Sequence, residues 1–234
     1  MEWISSLLKS VCPFCELKLG DARRACLGCS RLLSEIEQEP AIYNRLGDMV
    51  VVSAAYYESW MRNLILRQKQ KASSLVVSWM ADFLHQKVPL EWRGIDFLWV
   101  PAHSLASMHL VEHLVWGLHQ KGIPMVRRAY LSRKTTFFEK PQKKLDLSQR
   151  RTRSIEALYK LRRLEAGFSQ PLEIILFDDI LTTGNTLTGL KKMIEEHGRF
   201  KIRGALTLAF TKRLQPSEPP NLTKQTLFSD PGLC

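Results

Sequence analysis

The run Ile174 to Thr186, IILFDDILTTGNT, constrains this chain more than any other stretch. Ile174, Ile175, Leu176 and Phe177 form a continuous apolar run with the texture of a strand buried on both faces. Two carboxylates, Asp178 and Asp179, then emerge at its C-terminal edge, and paired carboxylates accept hydrogen bonds from vicinal hydroxyls or hold a metal. Thr182, Thr183, Gly184, Asn185 and Thr186 follow where a helix begins, supplying hydroxyls and closely spaced N–H groups, with Gly184 permitting tight approach. The free N–H groups of a helix N-terminus make an anion site. Such a turn presents acceptors for a sugar diol next to donors for a phosphate. The plainer alternative is a strand followed by a polar, capped helix with no ligand.

Other segments alternate in the same way. The β-branched run from Met49, MVVVSAAYY, predicts a strand, and Trp60, Leu64 and Ile65 predict the helix after it. A second helix is expected over 72–86, a strand over 95–100 that ends at Pro101, a helix over 105–119 and a short strand over 123–126. Past an irregular stretch, helical content is expected from about Ser148, then a strand over 173–177, a helix over 186–197 closed by Gly198, and a last strand over 203–210. Strands alternating with helices predict an α/β fold with a mostly parallel sheet and flanking helices, in which ligands sit off the C-terminal strand ends. His109, Glu112 and His113 spell H-x-x-E-H, a zinc-protease pattern, but Leu105, Met108, Val111, Leu114, Val115 and Leu118 mark that helix as a packing element.

Cys12 and Cys15 form one C-x-x-C pair and Cys26 and Cys29 another, ten residues apart. Two such knuckles bring four thiolates to tetrahedral distance, and Zn2+ is the expected occupant, in a closed and therefore structural site. Gly28 suits a tight turn in the second pair, and Cys234 is left over. The expected organisation is a separate four-cysteine module over 1–40, one domain over 41–212 and a flexible, Pro-rich tail over 213–234.

The formal net charge of +11 is concentrated, because Arg127 to Arg163 holds 13 Lys and Arg against Glu139, Asp146 and Glu156. A polyanion suits such a block, as does a solvated surface loop. The candidate nucleic-acid contacts are Arg133, Lys134, Lys143, Lys144, Arg150 and Arg151, with Phe137, Phe138 and Tyr159 either stacking on bases or buried in the core. The apolar stretches are too short to span a bilayer, and Met1 to Cys15 lacks the features of a secretory signal, so a cytoplasmic location is expected.

DDILTTGNT resembles the phosphoribosyl pyrophosphate motif of the type I phosphoribosyltransferases. The resemblance implies that Asp178 and Asp179 hold the ribose 2- and 3-hydroxyls and that Thr182 to Thr186 hold the 5-phosphate, with Mg2+ accompanying the pyrophosphate. The four-cysteine knuckle ahead of that motif makes the chain similar to the ComF (ComFC) family of competence proteins. Tyr57 to Lys69, ending LILRQK, and Gln142, Leu145 and Arg150 add to that likeness. It implies handling of single-stranded DNA during natural transformation and a competence helicase as partner. One departure is Val100 to His109, VPAHSLASMH, where the family has a second Pro and an Arg-Gly-Phe-Asn-Gln segment. His103 and Ser104 then remain as donors for pyrophosphate, which separates ribose-phosphate binding from catalysis and leaves transfer to a nitrogen nucleophile, or a binding-only ligand sensor, as the alternatives.

Overall fold

The computed structural model describes residues 11–16, 25–101, 105–126, 129–133, 159–163 and 171–211. Its centre is built from the apolar runs. β1 (Ile42–Leu46), β2 (Met49–Tyr56), β3 (Asp96–Trp99), β6 (Leu172–Leu181) and β7 (Phe200–Phe210) form one sheet in the order β1-β2-β7-β6-β3. The β2–β7, β7–β6 and β6–β3 pairings are parallel, and β1 closes one edge as the antiparallel arm of a hairpin. This is the mostly parallel α/β sheet that the strand and helix alternation predicts. A second pair, β4 (Ala129–Arg133) with β5 (Tyr159–Arg163), is antiparallel.

Among the described residues five α-helices flank the sheet: α1 (Leu27–Gln38), α2 (Ser59–Gln70), α3 (Ser74–Lys87), α4 (Leu105–Gln120) and α5 (Asn185–Glu195). Residues of α2, α3 and α4 such as Leu64, Phe83 and Leu114 share one core with Val52, Phe97, Ile175 and Phe177. Leu187, Leu190 and Ile194 of α5 cover the opposite face, with Leu176, Ala205 and Tyr159. Sheet residues therefore alternate between two buried faces, which is why β6 reads as an unbroken apolar run. A Cβ at Gly117 would lie 2.5 Å from the Ala81 Cβ, so α4 meets α3 at a spot with no room for a side chain. Among the described residues no helix is long and apolar enough to cross a membrane.

The structure corrects four local expectations. β6 runs on to Leu181, placing Asp178 and Asp179 inside the strand, because Thr207 to Phe210 of β7 continue to pair with it. Residues 123–126 make one bridge, Phe97 to Met125, and no strand; Pro124 brings no N–H to a ladder. Residues 159–163, expected as helix, are strand β5, in which Tyr159 and Leu161 alternate inward and pair against β4. Gly28 lies in the first turn of α1, where a Cβ would meet nothing within 4 Å, so that turn does not demand glycine. Gly198, by contrast, has φ +67° just past α5 and closes that helix as expected.

The cysteine segment packs onto the sheet domain. Phe14, 3% exposed, lies 6.3 Å from the Trp60 ring in a stacked arrangement and 5.8 Å edge-on from Trp79, which itself stacks on Phe83 at 5.3 Å. Trp79 Nε1 donates to Glu37 Oε1 of α1 at 2.6 Å, and Lys87 Nζ donates to the Glu37 carbonyl at 2.8 Å. Arg67 of α2 donates to the Phe14 carbonyl. Apolar contact and polar clamps together fix α1 against α2 and α3.

Candidate functional site

The C-terminal ends of parallel strands leave a crevice, and here it is a cleft of about 340 Å3. Asp178 and Asp179 of β6, Thr182 of the following turn, Thr186 in the first turn of α5, Val100 and Pro101 past β3, Tyr57 just ahead of α2, Lys69 near its end and Tyr159 of β5 line it. The turn is set by backbone geometry. Gly184 precedes α5 with φ +76°, and a Cβ there would lie 2.5 Å from Leu46 Cδ1, so glycine answers both the left-handed conformation and the lack of space. Thr211 clamps the turn from β7: its N–H donates to the Leu181 carbonyl at 3.0 Å and its hydroxyl to the Thr182 carbonyl at 3.3 Å. Thr182, Thr183 and Asn185 are left exposed around the start of α5.

Beneath the carboxylates lies a buried polar pair. Ser53 and Thr207, in register with Asp178 across β2, β7 and β6, share a 2.7 Å hydrogen bond between their hydroxyls. The pair satisfies itself inside the sheet, as buried hydroxyls must.

The two carboxylates differ in their surroundings. The Asp178 carboxylate accepts the Asp179 N–H at 2.8 Å, while the Asp179 carboxylate is ion-paired with Lys69 Nζ. Burial, and then the neighbouring charge of Asp179, push the Asp178 carboxyl up to about 8, against the opposing pull of the Asp179 N–H and of Lys69. The Asp178 carboxyl therefore favours its protonated form near neutrality. The arrangement can accept hydrogen bonds from a diol or take up a divalent cation, either of which favours the ionised pair.

Of the residues singled out in the turn, Asp178, Asp179, Thr182 and Thr186 line one cleft, and Thr183, Gly184 and Asn185 form the backbone that carries them. Lys69 is the residue the motif alone did not assign to it. Its only signal was the LILRQK stretch, which on its own reads equally well as a solvated helix end. His103, Ser104, Lys134, Phe137, Phe138, Lys143, Lys144, Arg150, Arg151 and the 213–234 tail with Cys234 lie outside the described residues, as does the side chain of Arg133. Tyr159 is buried at 2% exposure, packs in the core beneath α5, and also lines the cleft. Glu112 and His113 sit on the exposed side of α4 and join no cluster of metal-ligating groups among the described residues.

Such a cluster does form from Cys12, Cys15, Cys26 and Cys29, whose sulfurs all lie within 4.8 Å of one another. Four sulfurs at a Zn–S distance of about 2.3 Å would stand about 3.8 Å apart in a tetrahedron, close to the spread seen. The Cys26 N–H donates to Cys12 Sγ and the Cys29 N–H to Cys26 Sγ, both at 3.4 Å. Burial opposes ionisation of Cys12, yet N–H donors from Cys26, Phe14 and Cys15 bring its thiol down to about 7. Burial and the surrounding sulfurs push Cys29 up strongly. Four thiolates at this distance repel one another, so full ionisation needs a cation among them, and the four cysteines can hold a metal ion.

The fold and site thus define an α/β protein with a mostly parallel sheet, a carboxylate pair beside a helix N-terminus, and a four-cysteine cluster. No protein-family model matches the chain, and no curated protein matches it. Among solved structures, an adenine phosphoribosyltransferase from Leishmania tarentolae is similar at 13% identity, over 78% of this chain and 88% of that one, with a TM-score of 0.36.

Proposed function

We propose that this chain binds phosphoribosyl pyrophosphate in the cleft at the end of β6. The observation that carries this reading is the convergence of Asp178, Asp179, Thr182 and Thr186 on one crevice at a strand-to-helix turn. The carboxylate pair accepts the ribose 2- and 3-hydroxyls, and the N-terminus of α5 receives the 5-phosphate through backbone N–H groups and threonine hydroxyls. Mg2+ accompanies the pyrophosphate, where it neutralises charge. The cysteine cluster holds Zn2+ in a structural role, since four thiolates leave no coordination position open.

The order of motifs supports a type I phosphoribosyltransferase-like protein of ComF type, acting in the cytoplasm on incoming single-stranded DNA in natural transformation with a competence helicase. The basic segment from Arg127 to Arg163 supports the nucleic-acid part of that reading. Transfer of the ribosyl phosphate to a nitrogen nucleophile is the second reading, favoured by the placement of Val100 and Pro101 at the cleft, where the loop after β3 begins.

Titration calorimetry with phosphoribosyl pyrophosphate, with and without Mg2+, tests the pocket. Wild type gives a saturable heat that Asp178→Ala/Asp179→Ala loses, and a wild type that gives none overturns the assignment. For the DNA reading, binding of an oligonucleotide weakens steeply with added salt if phosphates are contacted; flat salt dependence counts against it.

A further inference from the structure

We propose that Lys69 is the residue that holds the pyrophosphate of the bound ligand, and that its ion pair with Asp179 is the resting position it leaves on binding. This rests on the reading of the cleft as a phosphoribosyl pyrophosphate site. In a ribose 5-phosphate unit the 5-phosphate and C1 stand at opposite ends of the sugar. With the 5-phosphate on the N-terminus of α5 and the diol on the carboxylates, the group on C1 points away from α5. α5 covers one face of the sheet, while α2, which carries Lys69, packs on the other. The end of the cleft that receives the C1 substituent is therefore the end from which Lys69 enters.

The charges agree with that placement. Among the described residues lining the cleft, Lys69 is the only cation, and its side chain is 18% exposed against 13% for Asp179. A partly buried ammonium needs an anionic partner, and Asp179 supplies it. Pyrophosphate is a stronger and more highly charged acceptor than one carboxylate, and a lysine on a flexible four-carbon stem can swing to it as a point charge. The same movement frees Asp179 for the ribose hydroxyls. The Val100 to His109 segment lacks arginine, so a cation from α2 also supplies what that loop does not.

Two probes separate this from a merely structural role: phosphoribosyl pyrophosphate and ribose 5-phosphate, each titrated into the full chain with Mg2+ present. Lys69→Met is expected to weaken the pyrophosphate ligand about 10- to 100-fold, the loss of one charge-assisted contact, and to leave ribose 5-phosphate unchanged or tighter. Lys69→Arg restores most of the difference, and Lys71→Met, removing an exposed charge nearby, leaves both affinities as they were. Equal weakening of both probes in Lys69→Met makes Lys69 a partner of the carboxylates alone and overturns the proposal. So does an unchanged affinity for phosphoribosyl pyrophosphate, or the same loss in Lys71→Met. A wild type that binds neither probe overturns the pocket itself, whereas a wild type that binds both with an indifferent Lys69→Met overturns only the role of Lys69.

Discussion

If the carboxylates take a ribose diol as proposed, binding displaces the proton that the Asp178 carboxyl holds at pH 7, and the size of that displacement follows from the site. With the Asp178 carboxyl pushed up to about 8, that carboxyl is protonated in roughly nine molecules of ten at pH 7 and in about one of ten at pH 9. Binding that requires the ionised pair therefore releases ~0.9 proton at pH 7 and ~0.1 at pH 9, and the affinity rises about tenfold between them. Calorimetry at pH 7 in two buffers of different ionisation enthalpy reads this directly, because the observed heat shifts by the proton count times the enthalpy difference. Asp178→Asn removes the buffer dependence. A wild-type heat that is the same in both buffers at pH 7 refutes the reasoning, since the carboxyl would then be ionised before the ligand arrives or remain protonated after it.

Further consequences concern stability. Because the folded carboxyl of Asp178 lies far above its ordinary value of 3.8, the free protein binds this proton more tightly folded than unfolded, and the associated stability is lost as pH rises towards 8. Wild-type Tm is expected to fall from pH 5 to 8.5 by thermal scanning, and Asp178→Asn to flatten that slope; a parallel slope in the variant removes Asp178 as its source. Gly184→Ala meets both a left-handed backbone and the Leu46 side chain, so it should cost more than the ~1–2 kcal/mol of the backbone alone, with Leu46→Ala recovering only the steric part in urea titrations. Phe14→Ala removes the ring between Trp60 and Trp79 and is expected to cost about 3–5 kcal/mol. Stripping metal with a chelator should lower Tm in wild type and leave Cys29→Ser unmoved; an unmoved wild type argues against a structural ion.

What could be read from the sequence was contiguous. The carboxylate pair, the threonines and Gly184 occupy one run, so their spacing put them near a strand end and a helix start, although β6 runs on past Asp179 to Leu181. The cysteines were likewise readable from spacing, because two C-x-x-C pairs converge by local turns. Segments decided by distant partners were not readable. Ile155, Leu158 and Tyr159 have helical spacing, while Tyr159 and Leu161 have strand spacing; pairing of 159–163 with β4 decides for strand. The strand β1, IYNRL, buries Asn44 where alternation calls for an apolar residue, so its pattern does not announce a strand, and it pairs along the edge that β2 offers.

Lys69 shows the same limit at the site. Nothing in LILRQK distinguishes a lysine aimed at Asp179 from one aimed at solvent, since the partner lies on a strand far along the chain. The geometry of α2 makes the distinction. Successive residues of a helix turn by about 100°, so Arg67 and Lys69 point to nearly opposite sides. Arg67 reaches the Phe14 carbonyl and, at 3.9 Å, Glu16 of the cysteine segment, while Lys69 reaches the cleft. One short helix therefore fixes the docking of the cysteine cluster with one cation and the charge of the ligand cleft with the next but one. Met61, Leu64 and Ile65 bury the apolar stripe of α2 in the sheet core, which sets the directions in which these two cations project.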